Sequence, residues 1–92
     1  MFRPLVYADL QNADSQGRLR LNCIGTIRDL ARQGITLREG IELTLYDEDL
    51  EVEGRTSFSE EERVWVAVID WKAIRPIPNV HADDAQQPSS AS

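Results

Sequence analysis

Acidic side chains are concentrated in residues 47–62, a segment with eight acids and one base. Four of these acids alternate along the chain: Asp47, Asp49, Glu51 and Glu53. Because alternate residues of a β-strand point to the same face, these carboxylates can share one strand face and either dock a basic partner or bind a divalent cation weakly. An EF-hand calcium loop is excluded. Such a loop requires glycine at its sixth position, and Val52 stands there when the loop is counted from Asp47. The remaining interpretation is a solvated acidic edge that discourages pairing with other chains.

Two tryptophans, Trp65 and Trp71, occupy the same predicted strand and the same side of it. We expect Trp65 to lie in the core. Trp71 comes near the end of the strand, beside Lys72, and is expected to be partly exposed. With Tyr46 as a companion, Trp71 could contribute an aromatic surface for binding a partner.

Catalytic residues are not grouped in this sequence. Asp70 interrupts an apolar strand and is expected to face solvent or to pair with Arg75 or Arg28. A structural role is favoured over a catalytic one, because no second acid or base accompanies it. One histidine, His81, and one cysteine, Cys23, cannot form a conventional zinc site within the chain. The glycine motifs GxxxxGK[ST], GxGxxG and GxSxG do not occur. We therefore predict a protein that is not an enzyme and that uses no cofactor or metal.

The charge is negative and unevenly distributed. The net charge of −6 opposes binding to nucleic acid, whose phosphates are neutralised by Lys and Arg. Residues 1–38 carry a net +3 and residues 39–78 a net −7. Arg18 and Arg20 share the outward face of a predicted strand and can form a positive patch. That patch is expected to meet acids of the same chain or of a second copy.

Three observations bear on location. No apolar run approaches the roughly 18 residues of a membrane-spanning helix. The residues after Met1 do not resemble a secretory signal, and the lone Cys23 fits a reducing compartment. We expect a cytoplasmic protein without a membrane partner.

Alternation of apolar and polar residues predicts strands at 4–10, 18–23, 41–46, 52–58 and 64–71, with a short edge segment at 74–78. The turn residues between the first two strands predict that they form a hairpin. Odd-numbered residues face the core in the third strand and even-numbered residues in the fourth. A straight strand cannot change parity, so a turn or bulge is expected at residues 47–50.

The apolar spacing changes to three and four at Ile27, Leu30 and Ala31, which predicts one short helix over 26–33. Thr26 can cap its first turn, and Gly34 can end it in the left-handed conformation. A helix this short is not stable alone in water, so we expect its apolar side chains, Ile27 and Leu30 included, to pack on the sheet.

These elements predict a mainly β (α+β) fold: a small, strongly bent antiparallel sheet, or partly open barrel, of about five strands with one short helix. The fold is expected to be a single domain at 1–78. Residues 79–92 have no apolar period and are rich in Ala, Ser, Asp and Gln, so we predict a disordered C-terminal tail.

The strings GTIRDLARQGITLREGIELTLYDED, residues 25–49, and WVAVIDWKAI, residues 65–74, resemble a group of short uncharacterised bacterial proteins. The shared features are the helix, the LREG turn, the acidic loop and the Trp-containing strand. The resemblance covers most of residues 4–77. It implies no activity and no site residues.

We therefore predict a small non-enzymatic protein-binding or adaptor module. Its acidic loop, within residues 47–62, would contact a basic protein partner. The predicted binding residues are Asp47, Asp49, Glu51 and Glu53 of this loop, together with Tyr46 and Trp71. The alternatives are a self-associating structural protein, in which the positive segment of one copy meets the negative segment of another, and a weak divalent-cation binder.

Overall fold

The computed structural model describes residues 3–77, so the predicted tail at 79–92 lies outside the described residues. It contains six strands, one α-helix and a single turn of 3₁₀-helix. In chain order these are β1 (Leu5–Tyr7), β2 (Leu19–Arg20), α1 (Ile24–Gln33), β3 (Glu42–Tyr46), β4 (Leu50–Ser59), β5 (Val64–Ile69), the 3₁₀-helix (Trp71–Ala73) and β6 (Arg75–Pro76).

The strands form a strongly curled, open sheet that makes a half-barrel, which confirms the predicted fold class. Their order across the sheet is β1-β3-β4-β5-β2, and β6 pairs with the first residues of β4. One pair differs from the predicted antiparallel arrangement, since β1 runs parallel to β3 and places Leu5 beside Thr44. Parallel strands need a long crossover connection, and here β2 and α1 lie in the chain between them.

The predicted hairpin between the first two strands is wrong, because β1 and β2 lie at opposite edges of the sheet. The predicted turn is present, but it joins β2 to residues 12–14. The Asp14 N–H donates to the Arg18 carbonyl at 2.8 Å, and the Arg20 N–H donates to the Asn12 carbonyl at 2.9 Å. The Asp14 carboxylate closes the turn by accepting from the backbone N–H groups of Gln16 and Arg18, both at 2.9 Å.

The predicted change of parity between the third and fourth strands is confirmed. Leu43 and Leu45 of β3 and Val52 of β4 are fully buried, so odd residues face the core before the turn and even residues after it. The turn occupies residues 47–49, where the Asp47 N–H donates to the Leu50 carbonyl at 3.0 Å. The concave side of the sheet holds the core, to which α1 contributes Leu30.

The predicted strand at 64–71 ends at Ile69, before Asp70. The Asp70 carboxylate caps the 3₁₀-helix by accepting from the Lys72 N–H at 3.0 Å. Asp70 is exposed, which agrees with the first of the two predicted alternatives, exposure to solvent. Trp65 is half-buried against the core and packs edge-on to Phe58, with the ring centroids 5.1 Å apart.

Helix α1 begins at Ile24, two residues before the predicted start, and no side chain caps it. It ends as predicted, with Gly34 in the left-handed conformation at φ 69°. Leu30 is buried as expected, but the expectation for Ile27 is wrong, since 54% of that residue is exposed. No helix within residues 3–77 has the length and apolar character that crossing a membrane requires.

Candidate functional site

The four alternating acids of the predicted site separate into two environments. Strand β6 places Arg75 directly beside Glu51 of β4. The Arg75 guanidinium lies 2.9 Å from a Glu51 carboxylate oxygen and binds Glu53 through two nitrogens, at 2.7 and 3.0 Å. These hydrogen bonds from Arg75 hold the pKa of Glu53 below its usual value. Two of the four predicted docking carboxylates are therefore already paired within the chain.

The other two acids belong to the acidic turn, which we define as residues 47–49. One oxygen of the Asp47 carboxylate shapes this turn, because it accepts from the backbone N–H groups of Asp49 at 3.1 Å and Leu50 at 3.0 Å. Glu48 and Asp49 are exposed. Within residues 3–77, no cationic side chain forms a salt bridge with either of them.

The alternating acids do not converge on one point. Strand β4 begins only at Leu50, so Asp47 and Asp49 lie in a turn while Glu51 and Glu53 lie on a strand and contact Arg75. Across residues 3–77 there is no group of three or more His, Cys, Asp or Glu side chains that could hold a metal ion. Alternation in sequence gives a shared face only where both residues belong to one continuous strand.

Tyr46, the predicted aromatic companion, takes part in a polar network around Asp29. The Tyr46 hydroxyl donates to the Asp29 carboxylate at 3.0 Å, and the backbone N–H of Tyr7 donates to the same oxygen at 2.8 Å. Arg32 pairs with the other oxygen. Asp29 is only 5% exposed, so these donors, rather than water, stabilise its negative charge.

The network shifts two pKa values in opposite directions. Burial alone would raise the pKa of Asp29. The hydrogen bonds from Tyr7 and Tyr46 and the charge of Arg32 outweigh burial, so the pKa of this carboxyl lies below its usual value. Burial raises the pKa of the Tyr46 hydroxyl, and the neighbouring Asp29 carboxylate raises it further. Asp29 is therefore ionised and Tyr46 protonated at neutral pH.

The same side of α1 covers the free edge of β1. The Thr26 hydroxyl donates to the Tyr7 carbonyl at 2.6 Å, and the Gln33 side chain donates to the Leu5 carbonyl at 2.8 Å. With Asp29 bound to the Tyr7 N–H, three helical side chains satisfy backbone groups that an edge strand leaves unpaired. The helix is therefore joined to the sheet edge by its polar side.

The sequence interpretation missed Asp29 because it assigned the apolar side of the helix to the sheet. A signal was present in the spacing, since Thr26, Asp29 and Gln33 recur at i, i+3 and i+7. Such a polar stripe is placed on one side of a helix by its 3.6-residue period. The pattern does not say whether that side meets solvent or the polar edge of a strand.

Trp71 lies apart from Tyr46. It is 45% exposed, as expected, and its indole N–H donates to the Gly17 carbonyl at 2.8 Å. In the described part of the chain, Tyr46 instead packs edge-on to Tyr7, with the ring centroids 5.6 Å apart. The two aromatics of the predicted binding surface thus have different neighbours and do not form one platform.

The predicted positive patch is neutralised within the chain. Arg18 lies 2.8 Å from the Asp14 carboxylate. Arg20 binds both oxygens of Glu62, at 2.7 and 2.9 Å, which lowers the pKa of Glu62. Arg18 is therefore paired within the N-terminal segment, and Arg20 is paired with the acidic segment of the same chain.

An open depression lies on the outer side of the sheet. Its lining consists of Arg3, Glu42, Glu53, Gly54, Arg55 and Val68. Arg3 pairs with Glu42 at 3.0 Å, and Glu53 is held by Arg75. Most of its charges therefore already have partners.

Comparisons with models of known protein families, with curated proteins and with solved structures found no match to this chain. The resemblance of residues 25–49 and 65–74 to short bacterial proteins stays a prediction.

Proposed function

We propose that this protein is a non-enzymatic protein-binding module that docks a basic segment of a partner through its acidic turn, residues 47–49. One observation carries the proposal. Glu48 and Asp49 are exposed and have no salt-bridge partner within residues 3–77, whereas Glu51 and Glu53 next to them are paired with Arg75. The carboxylates left for a partner are therefore those of the turn.

Electrostatics sets the strength expected of this contact. Two opposite charges about 4 Å apart attract by about 1 kcal/mol in bulk water and by about 4 kcal/mol near a protein surface. Several lysines or arginines of a partner would add such contributions, and salt would screen them over a Debye length of about 10 Å at 0.1 M. Binding should accordingly weaken as the salt concentration rises.

The partners of the buried Asp29 support a role of this carboxylate in the fold rather than in catalysis. Asp29 already accepts hydrogen bonds from Tyr7 and Tyr46 and pairs with Arg32, so it serves to hold α1 against β1.

A cytoplasmic location belongs to the same proposal and rests on the single free cysteine, Cys23.

The test is a nuclear magnetic resonance titration of the labelled protein with a short lysine-rich peptide at low salt. We expect shifts centred on the acidic turn and a loss of binding in the double variant Glu48→Gln/Asp49→Asn. Asp47 is left intact because its carboxylate shapes the turn.

A matched control removes the same charge elsewhere. The double variant Glu60→Gln/Glu61→Gln alters the exposed turn after Ser59, at the opposite end of the ten-residue strand β4, whose fully extended length is roughly 30 Å. It should bind the peptide nearly as well as the wild type. Equal loss in both double variants would mean that only net charge matters, and absence of shifts at the acidic turn would refute the proposal.

A further inference from the structure

The side of α1 opposite the sheet edge is apolar and uncovered. Ile24 is 69% exposed and Ile27 is 54% exposed, and Ala31 is also exposed. These residues follow the spacing i, i+3, i+7 and so form one stripe, which we call the outer face of α1. Single exposed apolar residues are common in proteins, but adjacent ones on one side of a helix form a candidate interaction surface.

The fold explains why this stripe is not buried inside the chain. Thr26, Asp29 and Gln33 hold the opposite side of the helix against the edge of β1 through hydrogen bonds of 2.6 to 2.8 Å. Turning the helix to bury Ile24 and Ile27 would break all three. Within residues 3–77, no other segment therefore covers the outer face.

Acidic groups of the sheet lie near the first turn of α1. Gly25 packs so closely on Tyr7 that an added Cβ would lie 2.6 Å from the ring. Tyr7 stands beside Tyr46 in the sheet, and the acidic turn follows Tyr46 directly. Burial raises the pKa of the Tyr7 hydroxyl, and so do the Cys23 thiol and the carboxylates of Asp9 and of the acidic turn. The first turn of α1 itself contains no acid, but the sheet beside it, around Tyr7, is negative.

The later part of the helix is positive. Arg28 is exposed on α1, one position after Ile27, and within residues 3–77 it forms no salt bridge. Arg32 follows one turn later, and its side chain is 69% exposed although it contacts Asp29. An apolar stripe with acids at one end and bases at the other is complementary to a reversed copy of itself.

We propose that a second copy of this chain covers the outer face of α1, with the two helices packed antiparallel about a two-fold axis. In this arrangement Ile24 of one copy lies opposite Ala31 of the other, so a large side chain meets a small one. Arg28 and Arg32 of each copy approach the acids around the first turn of the other, and symmetry makes this contact twice. A parallel pair would place like charges together.

The size of the outer face determines the strength of the dimer. A ten-residue helix is about 15 Å long. A contact of that length buries less than the roughly 800 Å² per partner of a stable interface. The dimer is therefore weak, concentration-dependent and sensitive to salt. It goes beyond the proposed function and competes with it, because both use the carboxylates of the acidic turn.

The test is the mass of the full chain in solution, measured by sedimentation velocity and light scattering from about 10 µM to about 1 mM, where weak dimers form. At low salt the average mass should rise from 10.4 kDa toward twice that value. Ile27→Glu and Ile24→Lys should each weaken dimerisation at least about tenfold, since each removes an apolar contact from both copies. Their opposite charges separate the loss of apolar contact from a change in net charge.

Val68→Glu is the control, because Val68 is 50% exposed on the outer side of β5 and lies beside Arg55, which can accommodate a carboxylate. It should dimerise like the wild type, and circular dichroism would confirm that every variant is folded. A mass that stays at 10.4 kDa up to 1 mM at low salt would overturn the proposal. So would dimerisation of folded Ile27→Glu at the wild-type level. Peptide binding is measured on the dilute monomer, so failure of the dimer leaves the proposed function to its own test.

Discussion

Replacing Asp29 with alanine removes the acceptor that joins α1 to β1 and β3. The change leaves the backbone N–H of Tyr7 without its partner, and an unsatisfied buried donor costs about 1 to 3 kcal/mol. Loss of the bond from the Tyr46 hydroxyl adds roughly 1 kcal/mol, since this half-buried group can turn to water. The exposed Arg32 adds little, because solvent screens its pairing. We expect the free energy of unfolding to fall by about 2 to 4 kcal/mol.

Urea denaturation followed by circular dichroism measures this loss. Asp29→Asn retains one acceptor oxygen, so its free energy of unfolding should fall by less, about 1 to 2 kcal/mol. The control is Asp49→Ala, which removes an exposed carboxylate from the acidic turn and should stay within about 0.5 kcal/mol of the wild type. If Asp29→Ala were as stable as Asp49→Ala, the polar side of α1 would not be what holds the helix to the sheet edge.

Two further predictions concern core packing and pH. Gly54→Ala would place a Cβ 2.9 Å from the Cδ1 of the fully buried Leu45, so we expect a loss of about 1 to 3 kcal/mol in the same urea experiment; an unchanged midpoint would contradict that packing. The pKa values of Asp29 and Asp14 are lower in the folded protein than their ordinary value of 3.8. Their contribution to stability is therefore present above pH 3.8 and is lost as the pH falls through the folded pKa values. Urea midpoints measured across this range should decline with acidification, and less steeply in Asp29→Asn; equal slopes would argue against a role for Asp29.

The alternating pattern of the sequence predicted much of the sheet. It located β3, β4 and β5 and assigned Leu43, Leu45 and Val52 to the core, because burial of one face imposes a period of two on each strand. It also required a turn at residues 47–50, since inward parity cannot change within a straight strand. Gly34 marked the end of α1 because glycine adopts the left-handed conformation without steric cost.

The candidate site was predicted only in part. The sequence located the acidic segment and the exposure of Trp71. It could not show that Glu51 and Glu53 are paired with Arg75, because that contact depends on β6 returning to β4 from more than twenty residues away along the chain. It also could not show that Trp71 and Tyr46 have separate neighbours, since the two belong to elements that are distant in sequence.

By itself the sequence determined the local elements, their turns and which residues share a side of each element, since these follow from backbone geometry and side-chain period. Only the tertiary structure decided what each side meets. It set β1 parallel to β3 at an edge of the sheet, and an edge presents backbone N–H and carbonyl groups that need partners. That requirement turned Thr26, Asp29 and Gln33 of α1 toward β1 and left Ile24 and Ile27 exposed, the reverse of what their hydrophobicity predicts.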